Sequence, residues 1–201
     1  MEARMKEITG RQRQIVAAAL DIVAELGPEA LTIKGIAERV GFSDAAVYRH
    51  FQSKAQILST VVELFAASSE RLLEEIRACD GPSQDQLRLF FIDRCRVFAG
   101  DRVLAAVMFA ESLFQNDPAL AAKLHRVLQD HRRLLLKSIR SGQHEGAIRD
   151  LPAEHLFTIV MGSLRLLVLQ WRIGGYAFDL LRAGEKLWDS LAALITQPAK
   201  E

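Results

Sequence analysis

The stretch Gly41–Lys54, GFSDAAVYRHFQSK, decides how the rest of the chain reads. It follows a short helical pattern, with Thr32 placed to cap and Ile33, Ile36, Ala37 and Val40 falling on one face; Gly41 then stops the helix. Ser43 can cap a second short helix, in which Val47 and Phe51 lie four apart and point inward. Ser53 with Gln56 reads as a capping box that opens a third helix. Between these apolar anchors the chain places Tyr48, Arg49, His50 and Lys54 where a buried helix has no use for them.

Two short helices joined by a tight glycine turn suggest a helix-turn-helix, which presents the N-terminal end of its second helix to base edges in the major groove. Ser43, Asp44, Ala45 and Ala46 occupy that end. The alanines are small enough for close approach, and a methyl group can meet a thymine methyl. Tyr48 and His50 can hydrogen-bond phosphate oxygens, and Arg49 can pair with phosphate by charge. Ser53 and Lys54 stand at a helix N-terminus, where free N–H groups and partial positive charge favour an anion. Taken singly, such residues are ordinary caps and surface side chains; the conjunction carries the reading. Asp44 can accept from a cytosine amino group or serve as a local cap.

Outward from this stretch the pattern is helical nearly throughout. Thr9 and Gln12 form a capping box for a first helix with Ile15, Ala18, Ala19, Ile22, Val23 and Leu26 on its face, ended by Gly27-Pro28. The helix opened by Ser53 runs on to Ile76, and Gly81-Pro82 breaks it. Ser83 with Gln86 reads as a third capping box, for a helix to about Ala99. Asp101 caps a helix to about Asn116, and Asp117-Pro118 starts one that Gly142 ends. A helix from Pro152 to Gly174-Gly175 and another over roughly 178–196 complete the chain. The expectation is an all-α fold of about nine helices. An N-terminal three-helix helix-turn-helix domain (1–54) precedes a C-terminal helical bundle (55–201), with the fourth helix continuous across the boundary.

The 201 residues are half hydrophobic and a quarter charged, enough for a real core. The net charge of +1 means that any nucleic-acid binding rests on local charge placement. Residues 1–54 hold eight cations and seven anions, with Arg4, Lys6, Arg11 and Arg13 clustered at the start. That cluster reads equally as an arm for phosphates or the minor groove and as a solvated tail. Cys79 and Cys95 form no C-x-x-C pair and no signal peptide is visible, so a cytoplasmic setting without a metal or cofactor is expected. The apolar run Leu156–Leu169, interrupted by Arg165, is too short for a membrane span and reads as a buried helix. No nucleophile elbow, zinc-protease motif or phosphate loop appears, so an enzyme is not expected.

Thr32, Ile36-Ala37, Gly41, Ser43, Val47-Tyr48, His50-Phe51, Ser53-Lys54 and Leu58 resemble the N-terminal signature of TetR-type transcriptional regulators, over about residues 10–58. The resemblance implies a nine-helix fold, a homodimer on a palindromic operator in double-stranded DNA, and an effector pocket in the C-terminal bundle. It carries DNA contact onto Lys34, Ser43, Asp44, Ala45, Ala46, Tyr48, His50 and Lys54; with Thr32, Arg49 and Ser53 these are the candidate DNA-binding residues. The chain departs from the signature at Val40 (commonly alanine), Phe42 (commonly valine) and Ala45 (commonly glycine), which puts the turn packing and the base preference in question.

In the bundle, an effector pocket would need an apolar lining with a few convergent polar groups. The candidates are Arg94, Cys95, Phe98, Met108, Glu111, Phe114, His131 and Arg165. Arg165, inside an apolar run, would need a partner or an anion, and Glu111 is one partner. The last two helices are apolar over wide arcs, so Phe157, Val160, Leu164, Leu167, Trp171, Leu187, Trp188, Leu191 and Ile195 are candidates for a homodimer interface. The function expected is a sequence-specific DNA-binding regulator, a repressor released by a small apolar ligand. The alternative is a DNA-binding interaction protein that positions a partner and senses no ligand.

Overall fold

The computed structural model describes residues 8–110, 112–115 and 117–197. Among them are ten α-helices: α1 Gly10–Leu26, α2 Ile33–Val40, α3 Asp44–Tyr48, α4 Lys54–Arg77, α5 Ser83–Gly100, α6 Arg102–Met108, α7 Ser112–Gln115, α8 Pro118–His144, α9 Ala153–Ile173 and α10 Leu180–Ile195. No strand forms among the described residues; a single antiparallel bridge joins Ile148 to Thr196. The helix expected between Asp101 and Asn116 is two helices, α6 and α7. No glycine or proline marks the break; the backbone tightens to i→i+3 bonds, Ala110 N–H to the Val107 carbonyl and Leu113 N–H to the Ala110 carbonyl.

The chain divides into two compact units, Met1–Glu70 with Arg102–Val127, and Arg71–Asp101 with Leu128–Glu201. In the first, α1 packs on α2 and α6, and α2 on α3. Its core holds Ile15, Val16, Ala19, Ile22 and Val23 from α1, with Ile36, Ala37, Val47 and Phe51. Lys123 of α8 ties to α4 in this unit, its ammonium donating to Glu63 and to Ser59 Oγ, each at 2.5 Å. These groups are half exposed, so the tie orients more than it stabilises.

In the second unit α10 packs on α5 and α9. Gly184 is what allows the first contact: a Cβ there would stand 2.6 Å from Cys95 Sγ. Phe91 meets Trp188 with ring centroids 5.6 Å apart, and Trp171 Nε1 donates to the Phe178 carbonyl at 2.9 Å. Two sequence expectations fail here for tertiary reasons. Ser83 and Gln86 make no capping box, because Pro82 takes the N-cap position and no side chain caps the helix. Ser83 Oγ donates instead to Glu145, and Gln86 donates to the Cys79 carbonyl and accepts from Ser138. Gly142 does not end its helix, since α8 runs on to His144. Its missing Cβ makes room for Ile148, whose Cδ1 would lie 2.6 Å away.

The expected self-association surface also needs correction. Val160, Leu164, Trp171, Trp188, Leu191 and Ile195 are buried inside the protomer, and Phe157, Leu167 and Leu187 are half-buried. They form its core because they face α5 and the neighbouring helix of the pair. Nor is α9 buried all round: Ile159, Leu166, Leu169 and Ile173 are exposed on its other side, Ile173 at 78%. By length and composition α9 is apolar enough to cross a membrane, with mean hydropathy 1.4 over an 18-residue window that is 28% buried; a helix apolar on two faces passes the same test.

Candidate nucleic-acid interface

The reading surface is assembled by local rules. Thr9 and Gln12 make the expected reciprocal capping box on α1. Thr32 caps α2, its hydroxyl oxygen accepting from Gly35 N–H at 3.0 Å. Gly41 ends α2 with φ 70° and ψ 33°, a left-handed conformation that costs glycine little. Ser43 then caps α3 by accepting from Ala46 N–H at 3.2 Å. The cap is Ser43 and not Asp44, whose carboxylate sits in the first turn, where it complements the helix dipole.

Val47 and Phe51 are buried, 0% and 2% exposed, and fix the rotation of α3. The opposite side is therefore open: Ser43, Asp44, Ala45, Tyr48 and Arg49 are exposed, with Ala46 and His50 half-buried. The helix is short, so Arg49 and His50 lie just past its end. Thr32 and Lys34 are exposed at the start of α2, Lys34 lying 3.9 Å from Glu38.

Ser53 and Lys54 are exposed at the start of the 24-residue α4. Ser53 Oγ accepts from Gln56 N–H at 3.2 Å, but Gln56 reaches past Ser53 to accept from Gln52 N–H at 2.6 Å. The box thus closes one residue earlier than its sequence suggests, and Lys54 stays in solvent. Arg39 of α2 donates to Glu25 of α1, which holds the Glu25 carboxyl below the usual range. That pair spends one cation inside the domain.

The effector candidates separate. Arg94, Cys95 and Phe98 of α5 and His131 of α8 are buried in the second unit. Arg94 pairs with Asp93 at 2.6 Å, and burial lowers its pKa despite that carboxylate. His131 packs edge-on against Phe90, with centroids 5.0 Å apart. Burial and then the Arg94 charge push its pKa down to about 3, so it is neutral near pH 7. Burial raises the Cys95 thiol to about 12. Arg165, expected inside, is exposed on α9. Met108 is half-buried and Phe114 buried in the first unit, and Glu111 lies outside the described residues. A cleft of about 250 Å³ that no sequence motif marks is lined by Lys54 with Pro28, Glu29, Leu58, Leu113, Asp117 and Leu120. It falls below the roughly 300–1,000 Å³ usual for small-molecule sites.

Residues 15–61 match the profile of bacterial regulatory proteins of the tetR family, and residues 63–194 match that of the C-terminal region of YsiA-like proteins. The chain belongs to the TetR family. This TetR-family chain is 26% identical over 191 residues to the fatty acid metabolism regulator protein of Bacillus subtilis, covering 94% of the chain and 97% of that protein. Its fold matches the B. subtilis transcriptional regulator FadR in complex with stearoyl-CoA, at TM-score 0.74 and 24% identity over 90% of the chain and 97% of that structure. The ketosteroid regulator KstR2 of Mycobacterium tuberculosis matches at TM-score 0.80 and 18% identity, over 95% and 97%. As a TetR-family protein it is a DNA-binding transcriptional regulator.

Lys54→Ala is expected to weaken binding to all duplexes alike and to shrink the slope of log affinity against log salt by about 1, since a phosphate contact carries no sequence information. Ala46 and Lys34 variants should instead change which sequences bind. Affinities on matched and scrambled duplexes at several salt concentrations check both.

Proposed function

We propose that this chain is a homodimeric repressor of the bacterial cytoplasm that reads a palindromic operator and leaves it when a small apolar molecule binds. The observation that carries the DNA reading is the exposed Ser43–Ala46 end of α3, fixed by buried Val47 and Phe51 and followed by Lys54 at the head of α4. Residues 1–54 form the reading domain, residues 55–201 hold the effector and the partner, and α4 belongs to both. The dimer uses the exposed face Ile159, Leu166, Leu169 and Ile173 of α9. Small Gly162 and Ser163 on the same face allow a second helix to come close. A contiguous apolar face of this kind marks an association site, and two-fold symmetry would set two reading helices about 34–36 Å apart.

For the effector, the near full-length similarity to the fatty acid metabolism regulator and the fold match to FadR in complex with stearoyl-CoA support a molecule with a long apolar acyl chain. Phe90, Arg94 and Phe98 recur every four residues along α5 and are all buried. The test is operator binding with and without stearoyl-CoA. Linkage requires that an effector which loosens DNA also bind more weakly in its presence, by the same factor. Equal effector affinity with and without operator would contradict the coupling. DNA affinity unmoved by any apolar ligand would favour a reader that positions a partner.

A further inference from the structure

The valine-to-phenylalanine departure at position 42 has a partner. Arg11, in the first turn of α1, lays its guanidinium over the Phe42 ring, 4.7 Å from the centroid. Arg11 is exposed and Phe42 half-buried. The two lie 31 positions apart, so their meeting is a property of the fold. Phe42 immediately precedes Ser43, the cap of α3, so the ring holds a cation at the entry of the reading helix.

We propose that Phe42 is a positioning residue that stations Arg11 as a phosphate contact beside the N-terminal end of α3. The inference rests on the DNA reading above. Stacking uses the guanidinium face and leaves its in-plane N–H donors in solvent. One of them donates to Gln14 Oε1 at 3.2 Å, which steadies the group further, and five donors leave others for a phosphate oxygen. The major groove is about 12 Å wide, so a cation fixed where the reading helix enters lies close to the rim phosphates. With eight cations against seven anions in residues 1–54, attraction depends on where each cation is held. Lone arginines give up much rotamer freedom when they grip phosphate; this one has given up part of it already.

The test uses a labelled duplex that the wild-type chain selects from a random library, with affinities measured from about 50 to 200 mM salt. Arg11→Ala is on the surface and keeps the fold. It should shrink the salt slope by about 1, so that its affinity defect is about 3.5-fold larger at the low salt than at the high. Phe42→Val should show part of the same defect, and in the Arg11→Ala background it should cost nothing more. Phe42→Tyr, which keeps the ring, should bind as wild type and decides the matter if the valine variant folds poorly. An unchanged slope in Arg11→Ala overturns the proposal. So does a Phe42→Val defect that persists undiminished without Arg11, which would assign the ring to packing of the turn. A wild-type chain that binds no duplex would instead bring down the DNA reading itself.

Discussion

Replacing Leu166 with glutamate is expected to turn the proposed dimer into a monomer and to cost operator affinity heavily. Leu166 is 54% exposed in the protomer, in the middle of the α9 face that carries Ile159, Leu169 and Ile173. The protomer core does not need it, so helix content should stay as in wild type. In the proposed dimer the new carboxylate would be buried in an apolar face, on both partners at once. An uncompensated buried charge costs about 3–5 kcal/mol, or roughly 10²–10⁴-fold in the dimer dissociation constant. Operator binding should fall by at least about 10²-fold, because a monomer engages only one half-site and loses the effective concentration of the second. Sedimentation velocity and duplex titration check the two effects. A stable dimer with Leu166→Glu would place the interface elsewhere. A similar change at Trp188, which is 3% exposed, should instead unfold the protomer.

The second large effect is on stability against pH. The unfolded His131 imidazole takes up a proton near pH 6.5, whereas in the fold burial and the Arg94 charge delay protonation to about pH 3. Between those values the unfolded chain binds the extra proton, so stability falls as pH falls through that window; above pH 6.5 this group contributes no pH dependence. A fall from pH 6.5 to 5 should cost about 2 kcal/mol from this residue, and roughly 4 kcal/mol would be lost by pH 3. Ordinary carboxylates titrate near pH 4, so the upper part of the window isolates the imidazole. His131→Phe, which keeps a ring against Phe90, should flatten the dependence between pH 5 and 6.5. Urea unfolding at those two pH values measures it, and identical slopes in both proteins would contradict the assignment.

These cases also explain what could be read from the sequence. The reading domain was legible because its signals are local. Thr9 with Gln12, Thr32, Gly41 and Ser43 each act within four residues, and the spacing of Val47 and Phe51 sets which side faces out. The bundle was less legible because its choices are made by distant partners. Ser83 and Gln86 have capping-box spacing, yet Glu145, Cys79 and Ser138 take their side chains. Gly142 and Gly184 resemble breaks or idle positions, but each is a point of close approach to Ile148 or Cys95. The α9 sequence is apolar on two faces; the one that carries Trp171 went to the core and the other stayed outside. Arg165 followed from that division, falling on the exposed side. The Arg11–Phe42 stack left only a faint trace, an aromatic where a smaller apolar residue is common.

The central claim is that two copies of α3 read DNA together, and selection of bound duplexes from a random library at two salt concentrations tests it most directly. The expected result is a palindrome with half-sites about one helical turn apart, bound more weakly at the higher salt. Salt-sensitive binding without an enriched motif would reduce the surface to a backbone grip, and enrichment of a single unpaired half-site would contradict the dimeric reader.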